Sequence, residues 1–382
     1  MKKKVKKPGF FRDIFSRKNG FDMPFFTLVM LLLIIGLIML FSASYAYAYY
    51  NNKGNSLYYI SRQFVFAVIG VTAMLMISRI DYRMLHKFAL PVMGLSYVLL
   101  VIVLFMPKMK GVRRWIDLGF ITFQPSEIAK FGVILIFAHL ISLNYKQMKT
   151  FKYGVLPYIV ILGSVAGLMV LEPHLSGTIL VVAIGVTLMF VGGTSLKWFA
   201  GVGIAGVVGL IGVILSGKIG YAMSRLEYWI DPFSDMRGKG WQTIQSLFAI
   251  GSGGILGQGL GNSRQKFLYI SEPQNDFVFA VVGEELGFVG STIIVILFVL
   301  LVWRGFVIAM KSPDKFGSLL AVGLTIQVGL QAALNIAVVT NTIPNTGISL
   351  PFFSAGGTSL VMLLAQMGVV LSISRYASLE KT

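Results

Sequence analysis

Long apolar runs with almost no charge recur along the whole chain, and no other feature restricts its fold as much. A helix rises about 1.5 Å per residue, so about 20 apolar residues are needed to cross the hydrocarbon of a bilayer. Ten runs meet that need, at about 24–48, 58–78, 85–106, 125–143, 153–170, 177–192, 195–216, 276–302, 317–340 and 357–374. Only GGTSLK separates the sixth from the seventh. Charged residues make up 13% of the 382, against roughly 25% in a soluble domain. The expected fold class is therefore an all-α polytopic membrane protein of about ten transmembrane helices.

Charge orients these helices. Eight of the 33 Lys and Arg precede Asp22, and with both ends inside, the inner segments and their borders hold 20. That bias places both termini in the cytoplasm. The first apolar run is too long for a signal peptide and has no clear cleavage site, so it is expected to stay as an anchor. The chain then divides into a basic tail at 1–23, one membrane unit at 24–374 and a short tail at 375–382. One long outer loop, 217–275, joins helices seven and eight. A net charge of +18 would suit nucleic acid, but no nucleic-acid motif or aromatic interleaving accompanies it. Anionic lipid headgroups are the expected partner of the basic flank. No cysteine is present, which excludes disulfides, thiolate nucleophiles and cysteine metal sites.

Against this background SEPQNDFVFAVVGEELGF, residues 271–288, stands out for its acids Glu272, Asp276, Glu284 and Glu285. Asp276 is expected at the outer boundary, within reach of water and headgroups. From spacing alone, a helix cap explains it better than a catalytic base. Glu284 and Glu285 lie deeper and must face protein or water, because a charge at mid-bilayer costs about 2.5–3.5 kcal/mol. In QPSEIAKFG, Glu127 and Lys130 are three apart and share a helix face. They either brace the bundle or form a polar wall of a substrate cavity. In GVRRWIDLG, Arg113 and Arg114 suit either a pyrophosphate or ordinary headgroup anchoring.

Two further stretches break the apolar pattern. The glycine-rich GSGGILGQGLG, 251–261, permits tight turns but is no Walker loop. In NTIPNTGISLPFFSAGGTSL, 341–360, prolines and glycines free backbone groups that lipid cannot satisfy. The histidines His86, His139 and His174 are scattered, without the spacing of a zinc site.

FSAS at 41–44, RRWIDLG, QPSEIAK, GWQTIQSLFAIGSGG, GLGNSRQK, EPQNDFVFAVVGEELGF and GISLPFFSAGGTSL, in this order, resemble the SEDS family (RodA, FtsW, SpoVE) of bacterial cell-wall proteins. GLGNSRQK followed by EPQNDF is more similar to the FtsW and SpoVE branch. EPHLSGT at 172–178 departs from the commoner EPDLGT, so the acid usual at that place is missing.

The resemblance implies peptidoglycan glycosyltransfer: polymerisation of lipid II at the outer face of the cytoplasmic membrane, in division or sporulation. A class B penicillin-binding protein is the implied partner, with other divisome or sporulation proteins around it. The family's essential acid falls on Asp276, implying a general base. Arg113, Arg114, Glu127, Lys130, Gln245, Ser246, Gln265, Lys266, Ser354 and Thr358 in the matching stretches are the expected substrate-binding residues. No cofactor is implied with certainty. Mg or Mn can serve at the leaving group, although no metal ligands are expected. Two rival readings remain: a lipid II flippase with Glu127, Lys130 and Glu284 along its path, and a non-catalytic scaffold for the penicillin-binding protein.

Overall fold

The computed structural model describes residues 20–109, 111–117, 119, 122–201, 228–235, 238 and 240–377. Among the described residues the helices of ten residues or more are α1 (Met23–Asn51), α2 (Tyr58–Ile77), α3 (Leu85–Leu104), α4 (Pro125–Asn144), α5 (Leu156–Leu171), α6 (Leu175–Val191), α7 (Trp241–Gly253), α8 (Val278–Met310), α9 (Lys315–Val339) and α10 (Gly357–Tyr376). Between α3 and α4 the chain forms a two-stranded antiparallel pair, β1 (Ile116–Asp117) and β2 (Thr122–Phe123). Eight of the helical segments are long and apolar enough to span a bilayer, and α6 is a shorter apolar helix. The chain is thus a polytopic helical membrane protein. Most of the expected seventh span, 195–216, lies outside the described residues, as does the first part of the long loop.

Burial sorts the helices. Most of α4, α9 and α10 is enclosed, whereas α2, α3, α5 and α8 leave most of their apolar surface outward. This is the pattern of helices that are apolar all round, the inner ones packed on protein and the outer ones on lipid. α10 lies along α2, α8 along α9, and α3 along α4. Charged caps close the end expected in the cytoplasm. Asp22 accepts from the Phe25 amide at 2.9 Å, starting α1, and pairs with Arg304 of α8 at 2.7 Å.

α8 solves a problem of length and polarity. At 33 residues it would run about 50 Å if straight, well beyond a hydrocarbon core of about 30 Å. It breaks at Gly287, where φ is 66° and ψ is −166°. The break frees carbonyls and amides, and the glycine-rich stretch supplies their partners. Gln258 and Gly259 donate to the carbonyls of Glu284 and Glu285 at 2.9 and 3.0 Å. Phe288 and Val289 donate to the carbonyls of Gly254 and Ile255 at 2.9 and 3.1 Å. So close an approach requires glycine, since a Cβ on Gly257 would stand 2.2 Å from the Glu285 carbonyl oxygen.

Glu284 and Glu285 complete this junction. Glu284 accepts from the Ser263 hydroxyl and from the amides of Arg264 and Gln265 at 2.9 and 3.3 Å. Glu285 pairs with Lys266 at 2.8 Å and accepts from Ser42 of α1 at 2.7 Å. Both carboxylates are buried. They face protein and bind the long loop to the broken helix and to α1.

Lys266→Ala would leave Glu285 as an unpaired buried charge, a change that typically costs about 3–5 kcal/mol. Thermal unfolding in detergent should show a large loss for Lys266→Ala and a smaller one for Lys266→Met combined with Glu285→Gln. Equal melting of the single variant and the parent would exclude this role for the pair.

Candidate active site

A cavity of about 640 Å³ opens among the helix ends expected outside, a volume typical of small-molecule sites. Tyr59 and Gln63 of α2, Arg114 of the strand loop, and Glu127 and Lys130 of α4 line one part of it. His174 before α6, Glu272, Asn275 and Asp276 before α8, Gln331 of α9, and Ser354 and Thr358 before and in α10 line the rest.

Asp276 is half-buried on this wall. It precedes α8, whose N-cap position is Phe277 and carries no side-chain cap bond. The cap position is thus held by Phe277 and not by Asp276. The Asp276 backbone is held instead. Asn335 of α9, fully buried, donates to the carbonyls of Asp276 and Ile348 at 2.7 and 2.6 Å. Ser354 donates to the Asn275 carbonyl at 2.6 Å, and the Ala355 amide donates to Gln274 at 2.8 Å. Gln63 receives the Gly356 amide and donates to the Ser354 carbonyl, each at 3.2 Å. Gly347, at φ 70°, passes so near that a Cβ would lie 3.2 Å from the Asp276 carboxylate. The broken 341–356 stretch thus lines the cavity and satisfies its backbone within protein, as lipid would not allow otherwise.

Two cations, Arg114 and Lys130, also line the cavity. Lys130 pairs with Glu127 at 2.8 Å, the expected one-turn contact, and approaches Gln331 at 3.4 Å. Arg114 donates to the carbonyls of Glu172 and Pro173. Behind it the Glu172 carboxyl is fully buried, and neither oxygen has a hydrogen-bond partner. Burial pushes that carboxyl up to about 8, with the Arg114 charge opposing. Burial, aided by Arg114 and Lys130, pushes His174 down to about 3. At neutral pH both are uncharged, so the charges beside them are Arg114 and the Lys130–Glu127 pair.

Of the expected site residues, Asp276, Arg114, Glu127, Lys130, Ser354 and Thr358 line the cavity. Thr358 donates to the Thr122 carbonyl at 3.0 Å, joining α10 to β2. The others stand apart for identifiable reasons. Arg113 turns back to the Leu104 carbonyl at 3.0 Å, closing the end of α3. Ser246 donates to Val339 at 2.6 Å, fixing α7 on α9, and its neighbour Gln245 is buried beside it in the same helix. Gln265 and Lys266 belong to the glutamate junction at the α8 break.

Sequence reading missed Gln63, Gln331 and Asn335. A signal existed in α9, where Gln327, Gln331 and Asn335 recur every fourth residue and so share one helix face. The histidines are less scattered than expected: His86 and His139 meet at 2.7 Å, on helix portions remote from the cavity lining. Among the described residues no three His, Asp or Glu side chains gather to hold a metal ion.

Comparison with known proteins follows the same architecture. A family model for FtsW, RodA and SpoVE, described as "Cell cycle protein", matches residues 22–379. "Stage V sporulation protein E" of Bacillus subtilis (strain 168) is 40% identical over 366 residues, 95% of this chain and 99% of that protein. "Probable peptidoglycan glycosyltransferase FtsW" of Trichlorobacter lovleyi is 36% identical over 365 residues, 94% of this chain and 95% of that one. Among solved structures, a chain reported under "Structural coordination of polymerization and crosslinking by a peptidoglycan synthase complex" superposes with a TM-score of 0.77 at 27% identity, covering 94% and 99% of the two chains. The rod shape determining protein RodA of Thermus thermophilus gives 0.69 at 27% identity, over 94% and 98%.

An acid whose folded pKa lies above its unfolded value stabilises the fold only while protonated. Stability is therefore expected to fall as pH rises from about 4.5 to about 8, the interval in which Glu172 stays protonated in the fold but ionises in the unfolded chain, and to level off above it. Glu172→Gln should flatten that fall, seen by comparing melting in detergent at about pH 6 and about pH 9. An unaltered slope would discharge Glu172 as its source.

Proposed function

Since the chain belongs to the FtsW, RodA and SpoVE family of cell cycle proteins, we propose that it polymerises lipid II at the outer face of the bacterial cytoplasmic membrane, with Asp276 as general base. The activity class is peptidoglycan glycosyltransfer, the one its FtsW relatives carry in their names. The observation that supports this mechanism best is the placement of Asp276: a half-buried carboxylate in a cavity that Arg114 and Lys130 also line.

A sugar hydroxyl of one lipid-linked substrate attacks the anomeric carbon of another. Asp276 takes the hydroxyl proton as the new C–O bond forms. The bond from the anomeric carbon to the pyrophosphate breaks, and its electron pair leaves with the lipid pyrophosphate. Arg114 and Lys130, which line the cavity, meet that negative charge. A direct displacement inverts the anomeric centre and needs no covalent enzyme intermediate. The backbone clamp of Asn335, Gln63 and Ser354 holds the base in position, so little reorganisation is needed at the moment of transfer. No step is assigned to a metal ion.

The flippase reading fits these features less well. Glu284 holds the loop at the α8 break and does not line the cavity. The polar face of α9 ends at Gln327, which donates to Gln366 at 2.9 Å. One turn further on, Gly323 packs so tightly that a Cβ would lie 2.5 Å from Ile134. An apolar plug below a polar cavity suits chemistry at one face better than passage. A class B penicillin-binding protein is the proposed partner, consistent with the likeness to a chain of a peptidoglycan synthase complex.

Purified protein with lipid II, with and without that partner, should yield glycan strands on a gel. Asp276→Ala should abolish them while the protein stays folded and membrane-inserted. Undiminished strands from this variant would falsify the assignment of the base, and lipid translocation in vesicles without new glycosidic bonds would favour the flippase.

A further inference from the structure

Six tyrosines crowd into residues 45–59, SYAYAYYNNKGNSLYYI being the surrounding sequence, at the expected outer ends of α1 and α2. Five of them divide into two sets, and the sixth, Tyr50, is exposed. On α1 the exposed residues Leu31, Ile34, Ile38, Phe41, Tyr45 and Tyr49 follow one another at steps of three or four. Tyr45 and Tyr49 therefore continue the lipid-facing stripe and behave as an interfacial aromatic belt. Tyr47 sits about 200° round the helix from Tyr45. It is half-buried, and its ring meets that of Tyr59 across the two helices, with centroids 6.1 Å apart.

Tyr59 and Tyr58 meet edge to face at 5.2 Å, and both line the cavity that contains Asp276. Polar groups edge these rings. The Asn52 side chain hydrogen-bonds Tyr59, and Glu272 is near enough to act on it electrostatically. Asn275, next to Asp276, donates to Glu272 at 2.8 Å. Arg62 donates to the Tyr58 hydroxyl at 2.6 Å. One continuous wall therefore runs from the proposed base, through Asn275 and Glu272, to the tyrosine pair.

This composition matches a sugar. A pyranose presents faces of C–H groups, which the electron-rich face of a tyrosine ring attracts, and edges of hydroxyl and acetamido groups that need donors and acceptors. Glu272 and Asp276 supply acceptors beside these rings, and the Arg62 guanidinium, 5.3 Å from the Tyr58 ring centroid, supplies donors.

We infer that Tyr58 and Tyr59, backed by Tyr47, form an aromatic lip that seats the saccharide carrying the attacking hydroxyl, an N-acetylated β-linked hexosamine. The inference rests on the glycosyltransferase reading for the role of that sugar, and on the cavity wall alone for its binding.

The test uses the full-length protein in detergent and a soluble β-1,4-linked N-acetylglucosamine tetramer, with binding followed by saturation-transfer NMR and titration. Tyr59→Leu and Tyr58→Leu should weaken binding roughly tenfold, the scale of one good ring contact. Tyr59→Phe, which keeps the ring, should bind nearly as the parent does. Tyr45→Leu, on the lipid-facing stripe, should change nothing. Lack of binding by the parent, undiminished binding by both leucine variants, or an equal loss in Tyr45→Leu would each overturn the lip. The same preparations are assayed with lipid II. Tyrosine-dependent tetramer binding without any polymerisation by the parent and its partner would sink the transferase reading and keep the lip. Polymerisation with tyrosine-independent binding would sink the lip alone.

Discussion

Backbone hydrogen bonding in a medium without water is the constraint from which the rest of this structure follows. A chain may break a membrane helix only where protein replaces the lost partners. α8 breaks at Gly287, and the stretch from Gly254 to Gly259 lies against the break and satisfies it. Glu284, Glu285 and Lys266 then fasten the adjoining loop to the helix, with Ser42 of α1 drawn in. The acids that looked out of place in an apolar run are thus the ties of a junction. Their burial is tolerable because each carboxylate accepts several hydrogen bonds and one has a cation beside it.

That junction sets the stage for the acid that lines the cavity. The loop fastened at 263–266 leads directly into 272–276, and α8 starts immediately after. Three side chains from three places, Asn335, Gln63 and Ser354, hold this segment and the facing 347–356 stretch by their backbones. Asp276, held by its backbone, lines the cavity. The result is a rigid floor under a polar chamber, in a region where helices alone would present only apolar surface.

The cavity gathers charges of both signs. Arg114 lines it with the Lys130–Glu127 pair, and Glu172 and His174 nearby are uncharged because burial favours the neutral form of each. Asp276, Glu272 and the tyrosine pair with Arg62 line it too. Each charge is thus held against protein partners in a region that lipid would otherwise surround.

Much of this was legible in the residues. Apolar runs of membrane-spanning length identified a helical bundle, because the hydrocarbon thickness is fixed and a helix has one rise per residue. The one-turn spacing of Glu127 and Lys130 announced their ion pair, a local contact that sequence separation alone determines. The motif resemblance pointed to Asp276. What only the tertiary structure decided were contacts between residues far apart in the chain. Arg113 and Arg114 are neighbours with the same chemistry, yet one closes the end of α3 and the other lines the cavity. Lys266, a natural candidate for phosphate, is 19 residues from the glutamate that claims it, and Asn335 is 59 from the acid it positions. Short-range geometry follows from helix pitch and can be read from spacing. Long-range pairing depends on which helix faces turn toward one another, and that is settled only when the whole bundle packs.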